Sequence, residues 1–159
     1  MKIRKPTKTK PETLKVIVAG PRDFDDYDIV SFELIYYLSV LEDRYQKKIE
    51  IVQGGAKGVD SIAKDFARNM GYPCKQFDAD WTQHGRYAGP LRNQEMAQYS
   101  DVLIAFNNGS KGTANMIKQA IEFQLEVIVI SLEDYMGIIS NNKHWKENNV
   151  YERNYLRRN

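Results

Sequence analysis

Four cations in or beside loops are candidates to engage phosphate: Arg22 in Gly20-Pro21-Arg22-Asp23, Arg86 in Gly85-Arg86-Tyr87, Arg92 in Leu91-Arg92-Asn93, and Lys111 in Gly109-Ser110-Lys111-Gly112-Thr113. An arginine offers a planar, permanently charged fork that matches phosphate or carboxylate, and a lysine offers a point charge. A fifth segment, Gly54-Gly55-Ala56-Lys57-Gly58-Val59-Asp60, has glycines that let a backbone approach a ligand closely or take a positive φ. It does not end in Gly-Lys-Ser/Thr, so it is not a P-loop, and it is not the Gly-x-Gly-x-x-Gly dinucleotide fingerprint. Asp60 falls in a first helical turn, where it accepts ribose hydroxyls or positions water, or serves only as a dipole partner. Asn93 is read as a ribose contact. Trp81 and Tyr87 are candidates to stack on a base, and His84 and Arg86 to reach phosphate.

The segments around these residues say how they are held. Hydrophobic runs at Leu14–Ala19, Ile49–Gln53, Pro73–Phe77, Val102–Phe106 and Val127–Ile130 read as strands. Helical spacing follows Asp25, Asp26 and Asp28 through about Arg44, then Val59 to Met70 with Gly71 as stop, Leu91–Tyr99, and Thr113–Gln124. Residues 78–90 read as a polar and aromatic loop. The unalternating Val127-Ile128-Val129-Ile130 predicts a strand covered on both faces. Strand–helix alternation predicts one α/β domain, Rossmann-like and three-layered, with a parallel sheet of about five strands and helices on both faces. The domain spans 14–131, after a disordered basic arm (1–13) and before an extension (132–159) with a short helix around Leu132–Ile139. Three glycine loops then lie on one sheet edge, where helix N-termini favour anions.

With 159 residues, 42% hydrophobic and 28% charged, the chain has the composition of a single globular domain. No apolar run approaches the ~20 residues of a membrane span, and no apolar signal segment follows Met1. Cys74 is the one cysteine, read as a buried thiol in a reducing cytosol, so the expected compartment is the cytoplasm. His84, His144 and Cys74 lack metal-ligand spacing, and no metal or cofactor is expected. The net charge is +2, yet residues 16–142 hold twelve basic and eighteen acidic residues, a net of −6. Nucleic acid is therefore disfavoured for the core, although the basic ends, with Trp145, Tyr151 and Tyr155 interleaved near the C-terminus, keep that reading open.

The ordered motifs resemble those of the SLOG superfamily of Rossmann-like nucleotide-binding domains. The nearest pattern is its YspA-related branch, the domain of unknown function 2493: Gly20-Pro21-Arg22, Gly54–Asp60, Trp81 through Gly85, Ala88-Gly89, Arg92-Asn93 and Met96, then Gly112-Thr113. Arg92-Asn93-x-x-Met96 and the Gly-Thr loop are also similar to the motif pair of the "lonely guy" cytokinin phosphoribohydrolases, and the Gly54-Gly55 loop to that of the DNA-processing protein DprA. This resemblance covers roughly residues 14–131.

The motifs and the loop residues together give an expected nucleotide site built from Gly20, Pro21, Arg22, Gly54, Gly55, Ala56, Gly58, Asp60, Trp81, Arg86, Arg92, Asn93, Lys111, Gly112 and Thr113. The resemblance also implies pairing with a second copy. Phosphoribohydrolases use the motif's Arg with the Glu of Gly-Thr-x-x-Glu; here that position is Met116. N-glycosidic cleavage usually requires a carboxylate. Three readings follow: a binding protein for a nucleotide or ADP-ribose-like ligand; an N-glycoside hydrolase of nucleoside 5′-phosphates, with Arg92 and Asp60 as catalytic pair or Asp23, Asp80 or Glu95 as substitute carboxylates; and a nucleic-acid-processing adaptor. The missing Glu favours the first.

Overall fold

The computed structural model describes residues 13–135. The basic arm up to residue 12, and residues 136–159 with the second half of the expected helix 132–139, lie outside the described residues, while residues 133–135 are helical. The elements run β1 (Thr13–Ala19), α1 (Tyr27–Tyr45), β2 (Lys48–Gln53), α2 (Val59–Met70), β3 (Cys74–Gln76), α3 (Trp81–His84), a 3₁₀ turn (Gly85–Tyr87), α4 (Ala88–Tyr99), β4 (Val102–Asn107), α5 (Lys111–Glu122) and β5 (Glu126–Ser131). The sheet has five strands in the order β3-β2-β1-β4-β5, and every pairing is parallel.

Alternation along β1 divides the core in two. Leu14, Val16 and Val18 face one side and pack with Ile29, Leu34 and Leu38 of α1 and Ile62 and Phe66 of α2. Ile17 and Ala19 face the other side and pack with Met96 and Ala97 of α4 and Met116 and Ala120 of α5. Helices thus cover both faces. The sequence sets the helix limits locally. The Asp26 carboxylate caps α1 by accepting from the Ile29 amide at 3.1 Å. Gly71 ends α2 in the left-handed conformation, φ 78°.

Three expectations change. Residues 78–90 are largely helical, and α4 begins at Ala88 rather than Leu91. Asp80 caps α3 through the Gln83 amide at 3.0 Å, and Pro90 fits the first turn of α4, where its missing N–H costs nothing. Cys74 is exposed, because β3 is a three-residue edge strand. β5 is the opposite edge, and its Val129 is 48% exposed. An unalternating apolar run does not distinguish a central strand from an edge strand.

Candidate functional site

From β1 the chain winds outward through β2 and β3, then returns to place β4 on the other side of β1. The crevice beyond the carboxyl ends of β1 and β4 is therefore the topological switch point, where open α/β sheets take their ligands. A cavity of about 580 Å³ lies there. Four cations line it, Arg22, Arg86, Arg92 and Lys111, against two acids, Asp23 and Asp60.

Gly20, Pro21, Ala56, Trp81, Asn93, Gly112 and Thr113 also line this cavity. Gly54, Gly55 and Gly58 do not. Their loop turns its amides inward: Asp60 Oδ2 accepts from Gly54 N at 3.2 Å and Ala56 N at 3.3 Å, and Gln53 Oε1 accepts from Gly55 N at 2.6 Å. The first amide of α2, on Val59, donates to the Pro21 carbonyl at 3.3 Å. The glycines serve packing between loops. A Cβ on Gly58, which has φ +76°, would lie 2.4 Å from the Pro21 carbonyl oxygen, and one on Gly20 would lie 2.6 Å from Val59 Cγ2. The expectation of three helix starts open to phosphate is thus corrected, since α1 is capped by its own Asp26 and the first amide of α2 is taken.

The start of α5 is different. Its N-cap Ser110 makes no side-chain capping bond, and the Ser110 hydroxyl instead donates to Thr113 Oγ1 at 2.8 Å. The Lys111, Gly112 and Thr113 amides occupy the first helical turn and have no intrahelical acceptor. All three residues line the cavity, so this positive dipole end faces it. The helix starts at Lys111 rather than at Thr113, which brings Lys111 into that turn.

Arg92 is held in place. Its Nη1 donates to the Gly54 carbonyl and its Nε to Asn93 Oδ1 at 3.0 Å. Asn93, itself buried, donates through Nδ2 to Asn115 Oδ1 at 3.0 Å and to the Gly112 carbonyl at 3.4 Å. A continuous polar chain therefore ties the β2 loop, α4 and α5 together under the cavity. Asn93 acts here as a brace. Burial pulls the Arg92 pKa below its usual value, and the nearby Asp60 opposes that.

Asp60 is 6% exposed. Burial pushes its carboxyl up to about 6, against the Ala56 amide, Arg92, the Gly54 amide and Arg22, which all favour the charged form. A carboxyl brought near neutrality beside a cavity is a functional-site signature. Asp23 also lines the cavity, whereas Asp80 and Glu95 do not. Met116 is 1% exposed, packed in the core under α5.

Trp81 is 49% exposed and edges the cavity, with the Arg22 guanidinium 5.5 Å from its ring centroid. His84 and Tyr87 lie outside this cavity, in a neighbouring groove. Sequence reading missed Asn115 and Ser110. Both sit in or beside the first turn of α5, so the Gly-Thr motif held the signal once the true helix start was known.

A doubly wound parallel sheet with its open edge at the β1/β4 crevice defines a Rossmann-like domain. A family model described as "YspA, cpYpsA-related SLOG family" matches residues 14–84. The gene 61 protein of Mycobacterium phage D29 is 34% identical over 125 residues, covering 72% of this chain and 94% of the phage protein. The chain belongs to the YspA, cpYpsA-related SLOG family. Among solved structures, DNA processing protein A (DprA) from Streptococcus pneumoniae is similar with a TM-score of 0.59 at 17% identity, over 74% of this chain. The match spans only 50% of the DprA chain. The structural-genomics target TM1055 is similar with a TM-score of 0.53 at 20% identity, over 72% of each chain. These two likenesses are of fold.

Proposed function

We propose that this domain binds a phosphorylated nucleotide-type ligand at the β1/β4 edge. The observation that carries the reading is convergence: the uncapped first turn of α5 and the cations Arg22, Arg86, Arg92 and Lys111 all line one cavity of about 580 Å³. That size suits a small organic ligand. The phosphate sits at the α5 amides with Lys111 and the free edge of the Arg92 fork. Trp81 offers an aromatic face for a base, and Asp23 and Asp60 offer acceptors for ribose hydroxyls.

Hydrolysis of an N-glycosidic bond is the second reading, and Asp60 favours it. A carboxyl with a pKa of about 6 is suited to general-base work near neutral pH. Met116, where the phosphoribohydrolases carry their Glu, supports simple binding instead. Incubation with nucleoside mono-, di- and triphosphates, NAD and ADP-ribose, read by mass spectrometry, separates the two. Retained intact ligand supports binding. Released base supports hydrolysis. Neither outcome with any compound refutes both.

A further inference from the structure

Beside the phosphate cavity, and sharing Pro90 with it, lies a second open groove of about 490 Å³ between α3, α4 and α5. Its polar lining consists of three amides, Gln83, Gln94 and Gln119, together with His84 and Tyr87. None of the three amide side chains makes a hydrogen bond among the described residues. Tyr87 is 60% exposed, so its ring offers a face to a ligand. No cation lines this groove, in contrast to the four in the cavity next door. Each amide carries both donors and an acceptor, the pattern that matches the edge of a nucleobase. A tyrosine ring supplies stacking that every base accepts.

Arg86 bridges the two spaces. It lines the phosphate cavity, while its Nη2 donates to the Tyr87 hydroxyl at 3.1 Å and its guanidinium lies 5.1 Å from the Tyr87 ring centroid. A chamber lined by four cations thus adjoins one lined by amides, His84 and Tyr87, with an arginine–tyrosine pair and Pro90 between them. Resting on the nucleotide reading above, we infer that the ligand is a dinucleotide-type molecule: two nucleosides joined through a phosphate bridge. One nucleoside and the bridge occupy the cavity, and the second base lies in the groove against Tyr87 and the glutamines.

The test is calorimetric titration with ADP and with NAD as probes, on the wild-type chain, Tyr87→Ala, and a Gln94→Ala/Gln119→Ala double variant that leaves the Arg86–Tyr87 pair intact. The expected result is NAD binding at least about tenfold more tightly than ADP, with each variant removing most of that advantage and the glutamine double variant keeping ADP affinity within about twofold of the wild type. NAD binding no tighter than ADP overturns the inference and leaves the phosphate site standing. Equal weakening of both probes by both variants overturns it too, as does an NAD advantage that neither variant reduces. Failure of both probes to bind the wild type sinks the phosphate-site reading along with it.

Discussion

Replacing Asp60 by Asn should change how stability depends on pH, and the structure gives the size of the change. Burial raises the carboxyl from an ordinary 3.8 to about 6. The folded state therefore holds this proton more tightly than the unfolded chain does. The resulting stabilisation is complete below about pH 4 and is lost as the pH rises through 6. Two pH units correspond to about 3 kcal/mol at 1.36 kcal/mol each, so this one group makes the wild type about 3 kcal/mol less stable at pH 7.5 than at pH 4. Asparagine has a similar shape, and its carbonyl oxygen can still accept from the Gly54 or Ala56 amide, but it does not titrate. Urea unfolding of both proteins from pH 4 to 7.5 measures the difference. The stability of the wild type relative to the variant should fall by about 3 kcal/mol, centred between pH 4 and 6. Parallel profiles would rule out a raised Asp60 carboxyl, because they would mean that the amides, Arg92 and Arg22 offset the burial completely.

Gly58→Ala should destabilise by more than about 2 kcal/mol in chemical denaturation, because it forces φ +76° on a residue with a Cβ and drives that Cβ onto the Pro21 carbonyl. Gly54→Ala places its Cβ 2.6 Å from Arg92 Nη1; the guanidinium should swing away from the Gly54 carbonyl, weakening nucleotide binding about tenfold while the fold survives. Arg92→Lys cannot reach Gly54 and Asn93 together and should cost about 1–2 kcal/mol of stability and a similar factor in affinity, read by thermal melts and titration. Lys111→Ala should weaken nucleotide binding about five- to tenfold without moving the melting temperature, since Lys111 is exposed at the start of α5.

Much of the fold was legible because its signals are local. Asp26 as cap, Gly71 as stop and the apolar runs of β1 and β4 each mark their own limits. The residues around 78–90 were not legible as helix, since Trp81-Thr82-Gln83-His84 is too short to show a period and its cap, Asp80, looks like any loop acid. Edge position was invisible as well. The exposure of Cys74 and Val129 follows from strand order, which no local pattern carries. In the site, the positions of Arg22, Arg92 and Lys111 followed from motif order along a sheet edge. The inward turn of the Gly54–Gly58 amides did not, because it depends on Asp60 folding back four and six residues along the chain. The bracing role of Asn93 was hidden because two of its partners, Gly112 and Asn115, lie on another helix.

Phosphate binding at the β1/β4 edge is tested most directly by calorimetric titration of the tightest-binding nucleotide into the wild type and an Arg22→Ala/Lys111→Ala double variant, at two salt concentrations. The expected result is saturable one-site binding to the wild type, weakened by salt, and at least about a hundredfold loss with a shallower salt dependence in the variant. Wild-type binding that the double variant retains in full, or no saturable binding of any nucleotide to the wild type, would contradict it.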